Sequence, residues 1–244
     1  MIRLAIISMC LALTGLTACG QGTGLPTDAG KVKTDGLQLN SVFGDGFQNS
    51  NDEGKPLKIK NPTIADIMKT GALPDRSMGR ADAPITIVEY ASLTCRFCRK
   101  FHRETFPVLK RQYIDTGKVR FILREFPIGR TSGTAWIATR CANPSKYFAL
   151  YTAYLDKQHL WVSQEIRREP IFKVASKLGM SREKFNKCLS NQSIIDGLTW
   201  IKERGRQLGV FGTPSFFING ERVSKIISTG DLRAKLDSLL AHSG

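Results

Sequence analysis

The chain has few groups that bind metals or titrate near neutrality, and it lacks a membrane-length apolar run. Its 244 residues include six cysteines and three histidines. His102, His159 and His242 are scattered, and Cys95 and Cys98 form the one closely spaced cysteine pair. A structural zinc site takes four ligands, commonly in two close pairs, so this distribution argues against one. No metal and no cofactor are expected. Acidic residues are also short, 21 against 36 lysines and arginines, for a formal net charge of +15. Such a field attracts anions, yet basic and acidic residues alternate along helix-like stretches such as Lys202-Glu203-Arg204. Solvated faces near an anionic membrane surface account for this pattern, and nucleic acid is not an expected partner. A hydrophobic content of 41% is ordinary for a globular protein, so the cysteines do not replace a missing core.

The apolar stretch from Leu4 to Leu16 follows a single early charge, Arg3, and precedes small residues. It is shorter than the roughly 20 residues that span a bilayer, so residues 1–18 read as a secretory signal peptide. Leu16-Thr17-Ala18-Cys19 resembles a bacterial lipobox, whose cysteine becomes the lipid-bearing first residue of the mature chain. The other reading is an ordinary signal peptide with an incidental Cys19. Removal of Cys10 with the signal and lipidation of Cys19 leave four thiols, an even number that suggests two pairs outside the cytosol. Residues 19–62 are rich in Gly, Asp, Asn, Ser and Thr without a sustained period, as a lipid-anchored flexible tether would be. Val42, Phe43 and Phe47 offer a docking segment as an alternative.

Regular periods begin after this tether. Ile85, Ile87 and Val88 form a β-branched strand candidate behind Pro84, and a helical pattern starts beside Cys95. Phe97, Phe101, Val108, Leu109 and Tyr113 share one face of that pattern at a 3.6-residue period. "KVRFILREFP" supplies a second strand, and the order strand, helix, strand predicts a parallel βαβ unit. Near the other end, Ser215 to Ile218, the turn Asn219-Gly220 and a strand through Val223 predict a hairpin. A last helix from about Gly230 carries Leu232, Leu236, Leu239 and Leu240. Between these halves the periods are helical and no strand is convincing. The chain therefore reads as an α/β fold of residues 63–129 and 196–244, with a helical insertion at 130–195.

The pair in "TCRFCRK" sits where the first strand hands over to the helix. Unpaired N–H groups and the macrodipole at a helix start favour a thiolate, so Cys95 is placed to attack and Cys98, one turn in, to resolve. Half of a zinc site and two inert buried thiols are the competing readings.

The stretch from Met78 through "TCRFCRKFH" to "FILREFP", with the later "GVFGTPSFFINGERVSK", resembles the DsbA-like thiol:disulfide oxidoreductases. The likeness covers about Ile64 to Leu240 and implies a thioredoxin fold carrying an inserted helical domain. It also implies roles: Cys95 as nucleophile, Cys98 as resolving thiol, and Thr213-Pro214 as the cis-proline loop that holds substrate backbone. Glu89 occupies the place of the family's buried acid, able to accept the Cys98 proton. The alternation Ile85, Ile87, Glu89 favours an inward side chain, with a solvent-facing carboxylate as the other reading. His102, four residues after Cys98, either tunes the pair or is a partly exposed helix histidine without a role. Cys141 and Cys188 both fall in the insertion, away from any strand-to-helix junction, and are expected to form a structural disulfide rather than a second redox pair.

The sequence departs from the family between the two cysteines, where proline and histidine are usual and Arg96 and Phe97 stand here. These two residues are expected to tune the redox poise, since Phe97 brings no charge and Arg96 restores only part of it. The implied activity is a periplasmic, membrane-anchored oxidoreductase. It would form disulfides in exported cysteine-containing proteins and be reoxidised by a membrane redox partner. A monomer is expected, because no heptad region precedes the fold. A reductase or isomerase of the same fold, or a non-catalytic tethered binding module, are the alternatives.

Overall fold

A computed structural model of the chain describes residues 58–223 and 227–242. The signal peptide, Cys19 and the candidate docking residues Val42, Phe43 and Phe47 lie outside the described residues. The tether assigned to residues 19–62 is described only at its end. There Ile59 N–H donates to Gln207 O at 2.8 Å and Ile59 packs partly buried, so the last residues before the fold are tied to it.

Five strands form one sheet: β1 (Arg76–Met78), β2 (Ile85–Ala91), β3 (Val119–Glu125), β4 (Ser215–Ile218) and β5 (Glu221–Val223). Their order is β1-β3-β2-β4-β5. β2 and β3 pair in parallel from Ile85↔Val119 to Ala91↔Glu125, as the strand-helix-strand order predicts, and the other pairs are antiparallel. Both central strands are buried on both faces, the usual setting of β-branched parallel strands covered by helices. The β4–β5 hairpin turns on Asn219 (φ 46°) and Gly220 (φ 89°). Positive φ at both central residues suits the right-handed strand twist, which explains why Asn-Gly is found there. β1 was not anticipated from sequence, because three residues show no period; only its pairing with β3 defines it.

Helices cover the sheet. α1 (Ile64–Met68), opened by a Thr63/Asp66 capping box, lies on the side of Val88, Tyr90 and Phe217. α2 (Arg96–Glu104) and α3 (Phe106–Leu109), extended by a π turn over Lys110–Ile114, form the crossover between β2 and β3. Phe101, Leu109 and Tyr113 are buried, but Phe97 is 38% exposed, contrary to its assignment to the buried face. The reason is position: β2 ends at Ala91, so the first turn of α2 lies beyond the strand's end, where Cys98 is still buried while Phe97 reaches solvent. The chain closes with α10 (Thr229–Ala241), which buries Leu232 and Leu236.

Among the described residues only helices occur between β3 and β4. They are α4 (Gly129–Cys141), α5 (Tyr147–Asp156), α6 (Gln158–Trp161), α7 (Arg168–Ser176), α8 (Arg182–Leu189) and α9 (Gln192–Gln207). α9 runs unbroken across residue 195, where the sequence reading ends the insertion, and buries Ile201 against the sheet. No helix of the described residues is long and apolar enough to cross a membrane.

The insertion is joined to the sheet by a buried ion pair. Glu125, the last residue of β3, accepts from Arg140 Nε and, at 2.7 Å, from an Arg140 terminal nitrogen, while Tyr147 OH also donates to it. Arg140 Nη1 donates to Pro74 O at 2.8 Å. The next residue, Cys141, is bonded to Cys188 (S–S 2.07 Å, Cα–Cα 6.1 Å), closing a span of 47 residues between α4 and α8. A loop of that size contributes about 2–4 kcal/mol in the chain-entropy account. Removing one member of a buried pair strands the other charge without water. Arg140→Ala or Glu125→Ala should therefore cost about 3–5 kcal/mol in urea denaturation, and a loss under about 1 kcal/mol would show that the pair does not join the two parts.

Candidate active site

The chain leaves β2 at Ala91 and passes through Ser92-Leu93-Thr94 to Cys95, the N-cap of α2. Cys95 has extended backbone (φ −78°, ψ 120°), and its carbonyl accepts from Arg99 N at 3.2 Å, so its sulfur stands at the free N–H groups of the first turn. The insertion holds this loop. Gln158 Nε2 donates to Leu93 O (2.7 Å) and Cys95 O (3.1 Å), and the Ser92 and Ser132 hydroxyls are 2.9 Å apart. Sequence reasoning did not single out Gln158, Ser92 or Ser132. Their contacts span 40 to 65 residues, and no local pattern marks them.

Cys95 and Cys98 are free thiols in unlike surroundings. Cys95 is half-buried and Cys98 fully buried. As a thiol, Cys95 donates from Sγ to Thr213 O at 3.1 Å; the Thr213-Pro214 bond is cis. The hydrogen bond from Cys98 draws the Cys95 thiol down to about 6 against the opposing effect of burial. The Thr213 hydroxyl and the backbone amides of Cys98 and Phe97 assist. The Thr213 carbonyl favours the protonated form, but the hydroxyl on the same residue, without a hydrogen-bond partner among the described residues, favours the thiolate. Cys98 moves the other way, pushed far up by burial, by its bond to Cys95 and by the charges of Cys95 and Glu89.

Glu89 lies within β2, opposite Leu123 on one side and Phe216 on the other, and is fully buried. It shares the face of Ile85, Ile87 and Ala91, which belong to the core that also contains Cys98 and Phe101, so the inward reading holds. Neither carboxylate oxygen has a hydrogen-bond partner among the described residues. Burial, with the Cys95 charge behind it, pushes the carboxyl up to about 8. Tyr151 OH is also buried and has no hydrogen-bond partner among the described residues; burial, then the charges of Glu89 and Cys98, push it far up.

His102 is not the partly exposed helix residue that its surroundings in the sequence suggest. It is buried, stacks on Phe106 with ring centroids 4.8 Å apart, and its Nε2 lies 2.9 Å from the Thr152 hydroxyl. Burial lowers it to about 4, so it is neutral at pH 7. The insertion helix α5 supplies the burial, which a local helical pattern does not reveal. Arg96 is exposed and lies over the Phe97 ring at 4.6 Å.

The raised Glu89 carboxyl has a consequence for stability. The folded protein keeps a proton that the unfolded chain has lost between the ordinary carboxylate range and about pH 8. This contribution is full at low pH and disappears as pH rises through the folded value. In the reduced protein the lowered Cys95 acts oppositely: its contribution is present above the ordinary thiol range and is lost as pH falls through about 6. Of these two effects only that of Glu89 remains in the oxidised protein, and the other shifted groups are common to wild type and a Glu89 variant. The stability advantage of Glu89→Gln over wild type should therefore grow steadily from about pH 5 to about pH 9 in denaturation of the oxidised form. A constant difference would show that Glu89 is not held protonated.

The chain is similar to known proteins in sequence and in fold. Residues 72–238 match the family model described as thioredoxin. The chain is 33% identical over 170 residues to a putative protein-disulfide oxidoreductase of Rickettsia conorii, covering 67% of this chain and 60% of that protein. It thus spans about 60% of the length of that curated relative. It is 28% identical to the probable disulfide bond formation protein D of Bacillus anthracis, over 59% of this chain and 70% of that one. The crystal structure of α-DsbA1 from Wolbachia pipientis superposes with a TM-score of 0.67 at 27% identity, covering 73% of this chain and 97% of that chain. With its parallel β2–β3 unit, its inserted helices and a Cys-x-x-Cys at the start of α2, the chain belongs to the thioredoxin family as a DsbA-like member.

Proposed function

We propose that this protein is a thiol:disulfide oxidoreductase that forms disulfides in exported proteins through Cys95 and Cys98. The observation that carries the reading is the asymmetry of the pair: an accessible sulfur drawn down to about 6 beside a buried one pushed far up. In the oxidised enzyme, a substrate thiolate attacks the Cys95 sulfur. The Cys95–Cys98 bond breaks and Cys98 leaves with the electron pair, taking a proton from Glu89, which is mostly protonated at pH 7. A second substrate thiolate then attacks the substrate sulfur of the mixed disulfide, the substrate disulfide forms, and Cys95 departs as a stabilised thiolate. Thr213 O beside Cys95 offers a backbone acceptor to the substrate chain during both attacks. Two electrons and two protons then pass to a membrane redox partner, restoring the Cys95–Cys98 bond.

The exposed cation Arg96 and the uncharged Phe97 set the poise within this reading. A Cys95 value of about 6 lies nearer the ~7 of thioredoxin than the ~3.5 of DsbA. That placement favours a milder oxidant and gives a second reading, a reductase or isomerase, its support. Thiol trapping of Cys95 and Cys98 in intact cells separates the two, since an oxidase is kept oxidised and a reductase reduced. A tethered binding module would show no turnover in insulin reduction or peptide oxidation.

The reading also includes a periplasmic location and a lipid anchor at Cys19. Cys19→Ser should move the protein to the soluble fraction; unchanged membrane partition would count against the anchor. Cys98→Ala should accumulate mixed disulfides with substrates through Cys95, because the second enzyme thiol is what frees a trapped partner. Cys95→Ala should accumulate none. Non-reducing electrophoresis with mass identification reads both, and a Cys98→Ala variant that traps no partner refutes the proposed chemistry.

A further inference from the structure

Four segments meet at Cys95. Thr94 Oγ1 donates to Ile128 O at 3.3 Å, Gln158 Nε2 to Cys95 O at 3.1 Å, and Cys95 Sγ to Thr213 O at 3.1 Å. Residues 92–99, 126–130, 157–162 and 208–214 contain no Asp or Glu, although the chain has 21. Five large hydrophobic side chains are conspicuously exposed among the described residues, and four belong to these segments: Phe97 (38%), Ile128 (38%), Leu160 (52%) and Phe211 (64%).

The cations beside Phe97 are arranged in a line. Arg96, Arg99 and Arg103 follow one another at i, i+3 and i+7 along a groove on the outer face of α2. No ion pair engages any of the three among the described residues, whereas Lys100 between them is paired with Glu104. Like charges at these spacings repel, and an anion laid along the face relieves the repulsion. Arg103 lies eight residues beyond Cys95, about 12 Å along the axis at a rise of about 1.5 Å per residue. An extended chain covers that distance in about four residues.

We propose that this surface selects extended polypeptide segments carrying Asp or Glu within about four residues of the reacting cysteine. Arg96, Arg99 and Arg103 meet the carboxylates, and the exposed apolar side chains of the four segments take the neighbouring ones. The inference rests on the redox reading above and names its substrate class. Docking of the same face on an anionic lipid surface would cover Cys95, so the occupant assigned is polypeptide.

The test uses oxidised protein and three dithiol peptides that differ only in carrying Glu, Gln or Lys beside the cysteines. At low salt kcat/KM should fall in the order Glu, Gln, Lys, with about a tenfold spread between the ends. The spread should collapse to about twofold near 1 M NaCl, where screening reaches about 3 Å. Arg99→Gln/Arg103→Gln should abolish the ranking, bringing the three peptides to within about twofold of one another at low salt. Equal rates in wild type at low salt, or a ranking that survives in the double variant, would overturn the proposal. So would salt-sensitive binding, lost in the double variant, to phosphatidylcholine vesicles with about 30% phosphatidylglycerol, if the three peptides react equally. Fluorescence anisotropy with the cysteines replaced by serine separates this inference from the chemistry beneath it. Tighter binding of the Glu peptide without any turnover would support the surface and sink the redox reading, and equal binding would sink the surface alone.

Discussion

Parallel pairing of β2 with β3 over Ile85–Ala91 decides where every reacting group lies. A parallel pair requires the chain to leave the sheet at the end of β2 and return by a crossover. The crossover helix must then start at the sheet's edge, and Cys95 is its N-cap. The same pairing buries Glu89 two residues before the strand ends, on the face that α2 covers. Nucleophile, resolving thiol and acid are thus products of one strand-helix junction, and a slip of β2 by one residue would turn Glu89 to the opposite face.

Burial acts with opposite results on the three groups. Cys98 and Glu89 are denied water, and each holds its proton. Cys95 is partly shielded as well, but the donors gathered around it outweigh that cost and favour its ionised form. What stabilises the thiolate also stabilises the reduced pair, so the local donors connect structure to redox poise. The difference between the two sulfurs arises within one helical turn.

The inserted helices do more than add a layer. α4 is locked to β3 through Arg140 and Glu125, α6 holds the Cys95 loop through Gln158, and α5 buries His102. Three of the segments that bring exposed apolar side chains to Cys95 lie outside the Cys-x-x-Cys motif, at Ile128, Leu160 and Phe211. Cys141–Cys188 ties α4 to α8 and holds the insertion as one piece.

Much of this was legible from sequence because its causes are local. The β-branched run after Pro84, the Asn-Gly turn and the cysteine pair at a strand-to-helix junction each rest on neighbours a few residues apart, and each is found in the structure. The partial burial of Cys95, the unpartnered oxygens of Glu89 and the buried state of His102 were set by tertiary contacts, because desolvation depends on elements distant in the chain. β1, without a period of its own, exists through its partner. Phe97 marks the boundary between the two kinds of information: its helical phase agrees with the buried face, and only the place where the sheet ends leaves it in solvent.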